Sequence, residues 1–282
     1  MALSAANARN ELMAALGNNS SRIIFDKATI SSQTAATFVS LWRATGQPGQ
    51  GAIPSTAAVC NNSLTGAVQF NQQTAPATSY GAFAYAMSTN SAMVFEIHDR
   101  LMHMGGLSGT VATAQTVGID LSANLGTSNL DARKGDANYS DVQWWLEWYT
   151  ATGSTAVTAT VNVTYNDASS GNLSAVSLAA TRPASFMAPL NSYIPAAQSG
   201  LYIKAVNSVT LSATTGTAGS FGVTATKPRM TMPLPLANKT EVFDWAALGL
   251  PEILNSSCLF GLVLTSQTNT GSLRGGGKIA HC

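Results

Sequence analysis

Nine residues, Val157 to Tyr165, constrain the fold of this chain more than any others. In Val157-Thr-Ala-Thr-Val-Asn-Val-Thr-Tyr165 every odd position is apolar and every even position is Thr or Asn. Successive side chains on a strand point to opposite faces, so Val157, Ala159, Val161, Val163 and Tyr165 share a face that belongs against a core. Thr158, Thr160, Asn162 and Thr164 then form a polar face without charge. The run lies between a tryptophan cluster (Trp144, Trp145, Trp148) and an Asn-Asp-Ala-Ser-Ser-Gly turn, as expected of one strand in a meander.

The rest of the composition points the same way. Hydrophobic residues make up 45% of the 282 and charged residues only 10%, against roughly 25% charged in ordinary globular proteins. This is too apolar for disorder and long enough to bury a sizeable core. The net charge of +1 is spread thinly, which gives no electrostatic footprint for a nucleic-acid backbone. A surface of Thr, Ser and Asn gains little solubility from repulsion and is expected to be covered in an assembly. The start, through Arg9 and Glu11, lacks the order of a secretory signal. The longest apolar stretch, Cys258 to Leu264, is far short of the ~18 residues that span a bilayer. Cys60, Cys258 and Cys282 lack metal-ligand spacing, and the first two read as small buried hydrophobes.

Turn residues divide the chain. Ser4 to Leu16, stopped by Gly17, has helical spacing, and so has Ser32 to Ala44 through Ala35, Phe38, Leu41 and Trp42. Gln47 to Pro54 is a Pro/Gly loop, read as an arm over a neighbour or a connector. From about residue 64 the signals are short strands separated by turns, among them Gly81–Met87, Ala92–Ile97, Val142–Tyr149, Leu201–Leu211 and Phe221–Thr226. The expectation is an all-β fold: residues 64–282 form an antiparallel β-sandwich or jelly roll, preceded by short N-terminal helices and an arm in residues 1–63. The stretch Gly271-Ser-Leu-Arg-Gly-Gly-Gly-Lys278 lacks a phosphate-loop ending and reads as a flexible tail or extended arm.

The search for chemistry centres on Glu96-Ile-His-Asp-Arg-Leu-Met-His103. On a strand, a spacing of five sends His98 and His103 to opposite faces, a poor chelate. The stretch is expected to be a strand end with an Asp99–Arg100 pair before the Met104-Gly-Gly106 turn. His281 is expected to be mobile beside the C-terminus. Nucleophile elbows are absent, and Asp136 and Asp141 read as loop carboxylates. The expectation is therefore no enzyme: no catalytic residues, no metal and no cofactor. In the tryptophan cluster, Trp144, Leu146 and Trp148 share one strand face, which leaves Trp145 and Tyr149 as a candidate exposed aromatic strip beside Glu147, suited to sugars or protein contacts.

Three stretches, Leu41-Trp-Arg-Ala-Thr-Gly-Gln-Pro-Gly-Gln-Gly-Ala-Ile-Pro54, Asp99 through Val117, and Trp145-Leu-Glu-Trp-Tyr-Thr-Ala-Thr-Gly-Ser-Thr-Ala-Val157, resemble segments of tailed-bacteriophage virion structural proteins. The resemblance covers about half the chain and carries no catalytic motif. It implies a virion location after assembly in the host cytoplasm, as a head decoration or cement protein, a homotrimer bridging capsid subunits. Its implied partners are the major capsid protein and copies of itself, with no nucleic acid and no membrane. A tail, collar or fibre-anchoring protein and a carbohydrate-binding β-sandwich are the alternatives.

Overall fold

The computed structural model describes residues 20–75, 77–216 and 219–281, which form three antiparallel sheets. With strands numbered in chain order, sheet A runs β15 (Glu241–Asp244), β5 (Ser79–Ser88), β17 (Leu273–His281), β1 (Ser20–Lys27) and β3 (Gly46–Gln47). The central sheet runs β14 (Ser220–Leu234), β8 (Gln143–Trp148), β12 (Phe186–Pro189), β2 (Thr37–Ser40), β16 (Leu259–Thr265) and β6 (Met93–Ser108). Because β6 pairs again with β14, these six strands close into a barrel, with β4 (Ala58–Val59) added to β6. Sheet C runs β10 (Ser170–Asn172), β9 (Val157–Tyr165), β13 (Ile203–Leu211) and β7 (Gln115–Asp120), with β11 (Val176–Leu178) also on β9. One helical turn, α1 (Leu130–Arg133), packs beside β6.

The barrel is the middle layer. The first half of β6 (Met93, Phe95, Ile97) and the second half of β14 (Met230, Met232, Leu234) share an apolar cluster with Ile23, Phe25, Ala84 and Ile279 of sheet A. The other halves, Leu101 to Leu107 and Phe221 to Ala225, join Trp144, Leu146 and Trp148 against sheet C. Strand β9 supplies Val157, Ala159, Val161, Val163 and Tyr165 to that second cluster, as its alternation requires. Each large side chain so buried contributes roughly 1.5–3 kcal/mol.

The fold is all-β, but the expected sandwich or jelly roll is replaced by a closed barrel between two sheets. Of the expected helices, Ser4 to Leu16 lies outside the described residues. Ser32 to Ala44 contains strand β2, paired with β12 and β16. Its neighbouring residues Val39 and Ser40, which face opposite sides, are both buried, and an apolar run covered on both faces loses its period of two and mimics helical spacing. The described part of the expected helical segment thus supplies β1 and β3 to sheet A and β2 and β4 to the central sheet, beside strands from after residue 64. The Gln47–Pro54 loop is no free arm: it wraps Trp42, whose Nε1 donates to Ala52 O at 2.8 Å, and the Lys27 amine donates to Ala44 O at 3.1 Å and to Pro48 O. Strand β14 continues past Thr226 because Pro228 falls at a register shift opposite His98, where a missing ladder donor is tolerated.

The glycine run corrects a second expectation. Instead of a flexible tail it is β17, paired with β1 and β5 on either side. A Cβ at Gly275, Gly276 or Gly277 would meet a backbone oxygen at 2.3, 2.6 or 2.2 Å, so glycine here allows close approach rather than mobility. Gly277→Ala is expected to lower stability by about 1–3 kcal/mol, read as a fall in thermal midpoint. An unchanged midpoint would refute the close-approach argument.

Candidate functional site: the polar barrel interior

The residues singled out as chemically interesting converge inside the barrel, and a register irregularity brings them together. Thr224, Ala225 and Thr226 of β14 face His103, Met102 and Arg100 of β6, so Leu101 is an extra residue on β6. A bulge reverses the parity of every later position. His98, Arg100 and His103 therefore point to the same side, into the lumen, where alternation alone would separate the two imidazoles. Sequence reasoning missed this because no residue type marks the bulge.

One cluster is built on a buried ion pair. Arg100 Nη2 donates to Glu147 Oε2 at 2.5 Å, and the same nitrogen donates to Thr224 Oγ1 at 3.1 Å and to Tyr149 Oη at 3.2 Å. Thr224 Oγ1 donates to Glu147 Oε2 at 2.6 Å. Arg100 Nε donates to His103 Nδ1 at 3.0 Å. His103 thus accepts at Nδ1 and carries its proton on Nε2. The guanidinium stacks 4.6 Å from the centre of the Trp42 ring. Burial alone would raise the Glu147 carboxyl, but Arg100 outweighs it and holds the group below the usual carboxylate range. The Tyr149 phenol is pushed up by burial and then by the Glu147 charge. The second cluster is His98, whose Nε2 lies 2.8 Å from Glu96 Oε2 and whose Nδ1 lies 3.0 Å from Thr226 Oγ1. Trp145 Nε1 donates to the same Thr226 hydroxyl at 2.9 Å.

The structure therefore buries both members of the expected aromatic strip: Trp145 is 2% exposed and Tyr149 7%. They line the barrel because Trp144, Leu146 and Trp148 claim the outer face of β8 for sheet C. No strip is open to a sugar, and the carbohydrate-binding alternative loses its basis.

The expected Asp99–Arg100 pair is also split. On the other face of β6, Asp99 receives Arg133 Nη2 at 2.6 Å and Nε at 3.1 Å, Arg229 Nη2 at 3.3 Å and the Cys258 N–H at 2.8 Å. Burial would raise this carboxyl, but Arg133 and then Arg229 hold it below its ordinary value. Asp141 pairs with Lys227 at 2.7 Å, and Asp136 stays in the loop. His281 is not mobile: it ends β17, 2% exposed, with Ser21 Oγ 2.8 Å from Nε2 and Ser79 Oγ 2.9 Å from Nδ1. Its pKa is lowered by burial.

Cys60 and Cys258 are buried, and they meet where β4 and β16 abut along one edge of β6. Cys60 N donates to Leu101 O, and Arg100 N donates to Cys258 O, each at 2.9 Å. Burial would raise the Cys60 thiol, but the Cys258 thiol and His103 beside it hold it well below its usual value, while burial and Cys60 push Cys258 up.

Most polar atoms of these groups pair with one another, but Arg100 Nη1 and Glu147 Oε1 are buried without a hydrogen-bond partner among the described residues. Surface depressions at Arg22, Ile24, Pro48 and Thr65 and at Ala36, Val94, Pro233 and Leu264 contain neither histidine nor carboxylate. Among the described residues no group of three or more His, Cys, Asp or Glu side chains is placed to hold a metal ion.

The chain matches no family model and no curated protein. Among solved structures it aligns with the T13 particle of IBDV at 10% identity and a TM-score of 0.24, over 93% of this chain and 76% of that one. The VP2 subviral particle of infectious bursal disease virus aligns at 11% identity and a TM-score of 0.20, over 93% and 79%. Likeness at this level carries no argument about fold or function.

Proposed function

We propose that this chain is a structural component of a virion, a head decoration or cement protein that stabilises the shell by bridging capsid subunits and copies of itself. The observation that carries the reading is the contrast between an interior whose buried charges are paired with one another, Arg100 with Glu147 and Arg133 with Asp99, and apolar side chains left at the surface. Val242 is 63% exposed and Ile24 49%, and Leu236, Trp245 and Leu250 are also exposed. Of the six exposed large hydrophobic side chains among the described residues, four lie within residues 236–250, and the other two are Ile24 and Val111. Concentrated exposed apolar surface in a fold of low charge suits contacts with other protein subunits. The resemblance of the stretches beginning at Leu41, Asp99 and Trp145 to phage virion proteins supports the same assignment. No catalytic residue and no cofactor are assigned.

The test is the position of the protein in intact particles, read by labelling and imaging, together with the heat resistance of particles that lack it. Label distributed over the head, with earlier thermal rupture of depleted particles, is the expected result. Label confined to the tail would transfer the assignment to a tail or collar component. Unchanged heat resistance would remove the cement role.

A further inference from the structure

We infer that the outer face of sheet A binds the same face of a second copy of this chain, about a two-fold axis parallel to the strands. The inference deepens the proposed structural role by naming one of its contacts.

Strand register lays the outward side chains of sheet A in rows. One row is Val242 on β15, Tyr85 on β5, Gly276 on β17 and Ile24 on β1. The next is Asp244, Phe83, Lys278 and Arg22 on the same four strands. On the other side of the apolar row, Met87, Arg274 and Asp26 follow on β5, β17 and β1. The face thus has an aliphatic and aromatic centre with charge towards its edges, the anatomy of a protein interface. It is also level in the middle, because a Cβ at Gly276 would sit 3.1 Å from the Tyr85 hydroxyl and 3.3 Å from its ring. The Tyr85 ring lies over the space a side chain would fill.

A pair of identical sheets stacked face to face has its two-fold axis in the plane of contact. An axis parallel to the strands, between β5 and β17, lays β15 of each copy over β1 of the other. Asp244 then faces Arg22, Val242 faces Ile24, and Phe83 faces Lys278, each twice by symmetry. Met87 faces Arg274, and no like charges meet. An axis across the strands brings Lys278 over Arg274 and is disfavoured by that repulsion. The two residues of the predicted intermolecular pair are available for it: Arg22 and Asp244 are exposed, neither has an ion-pair partner among the described residues, and the Asp244 carboxylate engages only the Ala247 N–H at 2.9 Å. Four strands and three rows cover roughly 400 Å² per copy from strand spacing and rise, below the ~800 Å² per partner of a standard interface. The dimer is therefore weak in solution and is reinforced where many copies are held on one particle.

The experiment is sedimentation velocity on the full chain over a rising concentration series, up to about 1 mM. A monomer–dimer equilibrium is expected. Val242→Glu and, separately, Arg22→Glu should each weaken association tenfold or more, with far-UV spectra and thermal midpoints unchanged because both sites are exposed. Ile24→Lys serves as a second disruption if Val242→Glu unfolds. Arg22→Glu combined with Asp244→Arg should restore the dimer. A strict monomer throughout the series would overturn the inference, as would association indifferent to these changes or a charge swap that fails to rescue. Because this readout uses the free protein, its failure leaves the particle-labelling result standing, and the converse also holds.

Discussion

Arg133→Ala is expected to destabilise the fold by about 3–5 kcal/mol, the cost of stripping a buried charge of its partner. That corresponds to a fall in thermal midpoint on the order of 10 °C. Arg133 grips Asp99 with two nitrogens, at 2.6 and 3.1 Å, and donates to three carbonyls, Cys60 at 2.7 Å, Ser128 at 3.2 Å and Arg100 at 3.0 Å. It thereby ties α1, the end of β4 and the middle of β6 together. Arg133→Lys should recover little, since an ammonium cannot reproduce the fork. The acid limb supplies an independent check. The folded Asp99 carboxyl lies below its ordinary value because of Arg133 and Arg229. Its contribution is therefore fully present above the unfolded pKa of about 3.9 and is lost as pH falls through the folded value. In Arg133→Ala the folded value moves upward, and the acid-induced loss of stability should begin at higher pH. A midpoint-against-pH series showing the same acid limb in both proteins would contradict the assignment.

The Arg100–Glu147 pair inside the barrel should behave differently when both members are removed. Glu147→Leu alone leaves a buried guanidinium uncompensated and is expected to cost about 3–5 kcal/mol. Arg100→Met with Glu147→Leu should return to within about 1–2 kcal/mol of the parent. Met keeps an apolar stem beneath the Trp42 ring, which lies 4.6 Å from the guanidinium, and no charge remains to be desolvated. Denaturant midpoints of the two singles and the double decide it. If the double is as unstable as the summed singles, the pair is stabilising in its own right, and the barrel interior depends on its polarity.

Much of this architecture can be traced back to particular residues. The alternation from Val157 to Tyr165 places five side chains against a core with no knowledge of the partner sheet, because the period of two belongs to the strand itself. The division of Trp144, Leu146 and Trp148 from Trp145, Glu147 and Tyr149 is equally local. What lay beyond that second face was not local. It became the inside of a closed barrel only because β6 and β14 pair along their whole length, and that pairing joins residues more than a hundred positions apart.

The sequence by itself determined the all-β class, the two faces of its alternating strands, the turns between them and a low, thinly spread charge. Those properties follow from side-chain periodicity and composition, which any short window of the chain contains. Tertiary structure alone decided the rest. The bulge at Leu101 turned His98, Arg100 and His103 to one side, the close approach of β1 and β5 made a strand of the glycine run around Gly276, and burial on both faces made a strand of Thr37–Ser40. Each of these depends on which distant backbone lies alongside. Parity, clearance and two-sided burial are properties of a pair of strands rather than of either one.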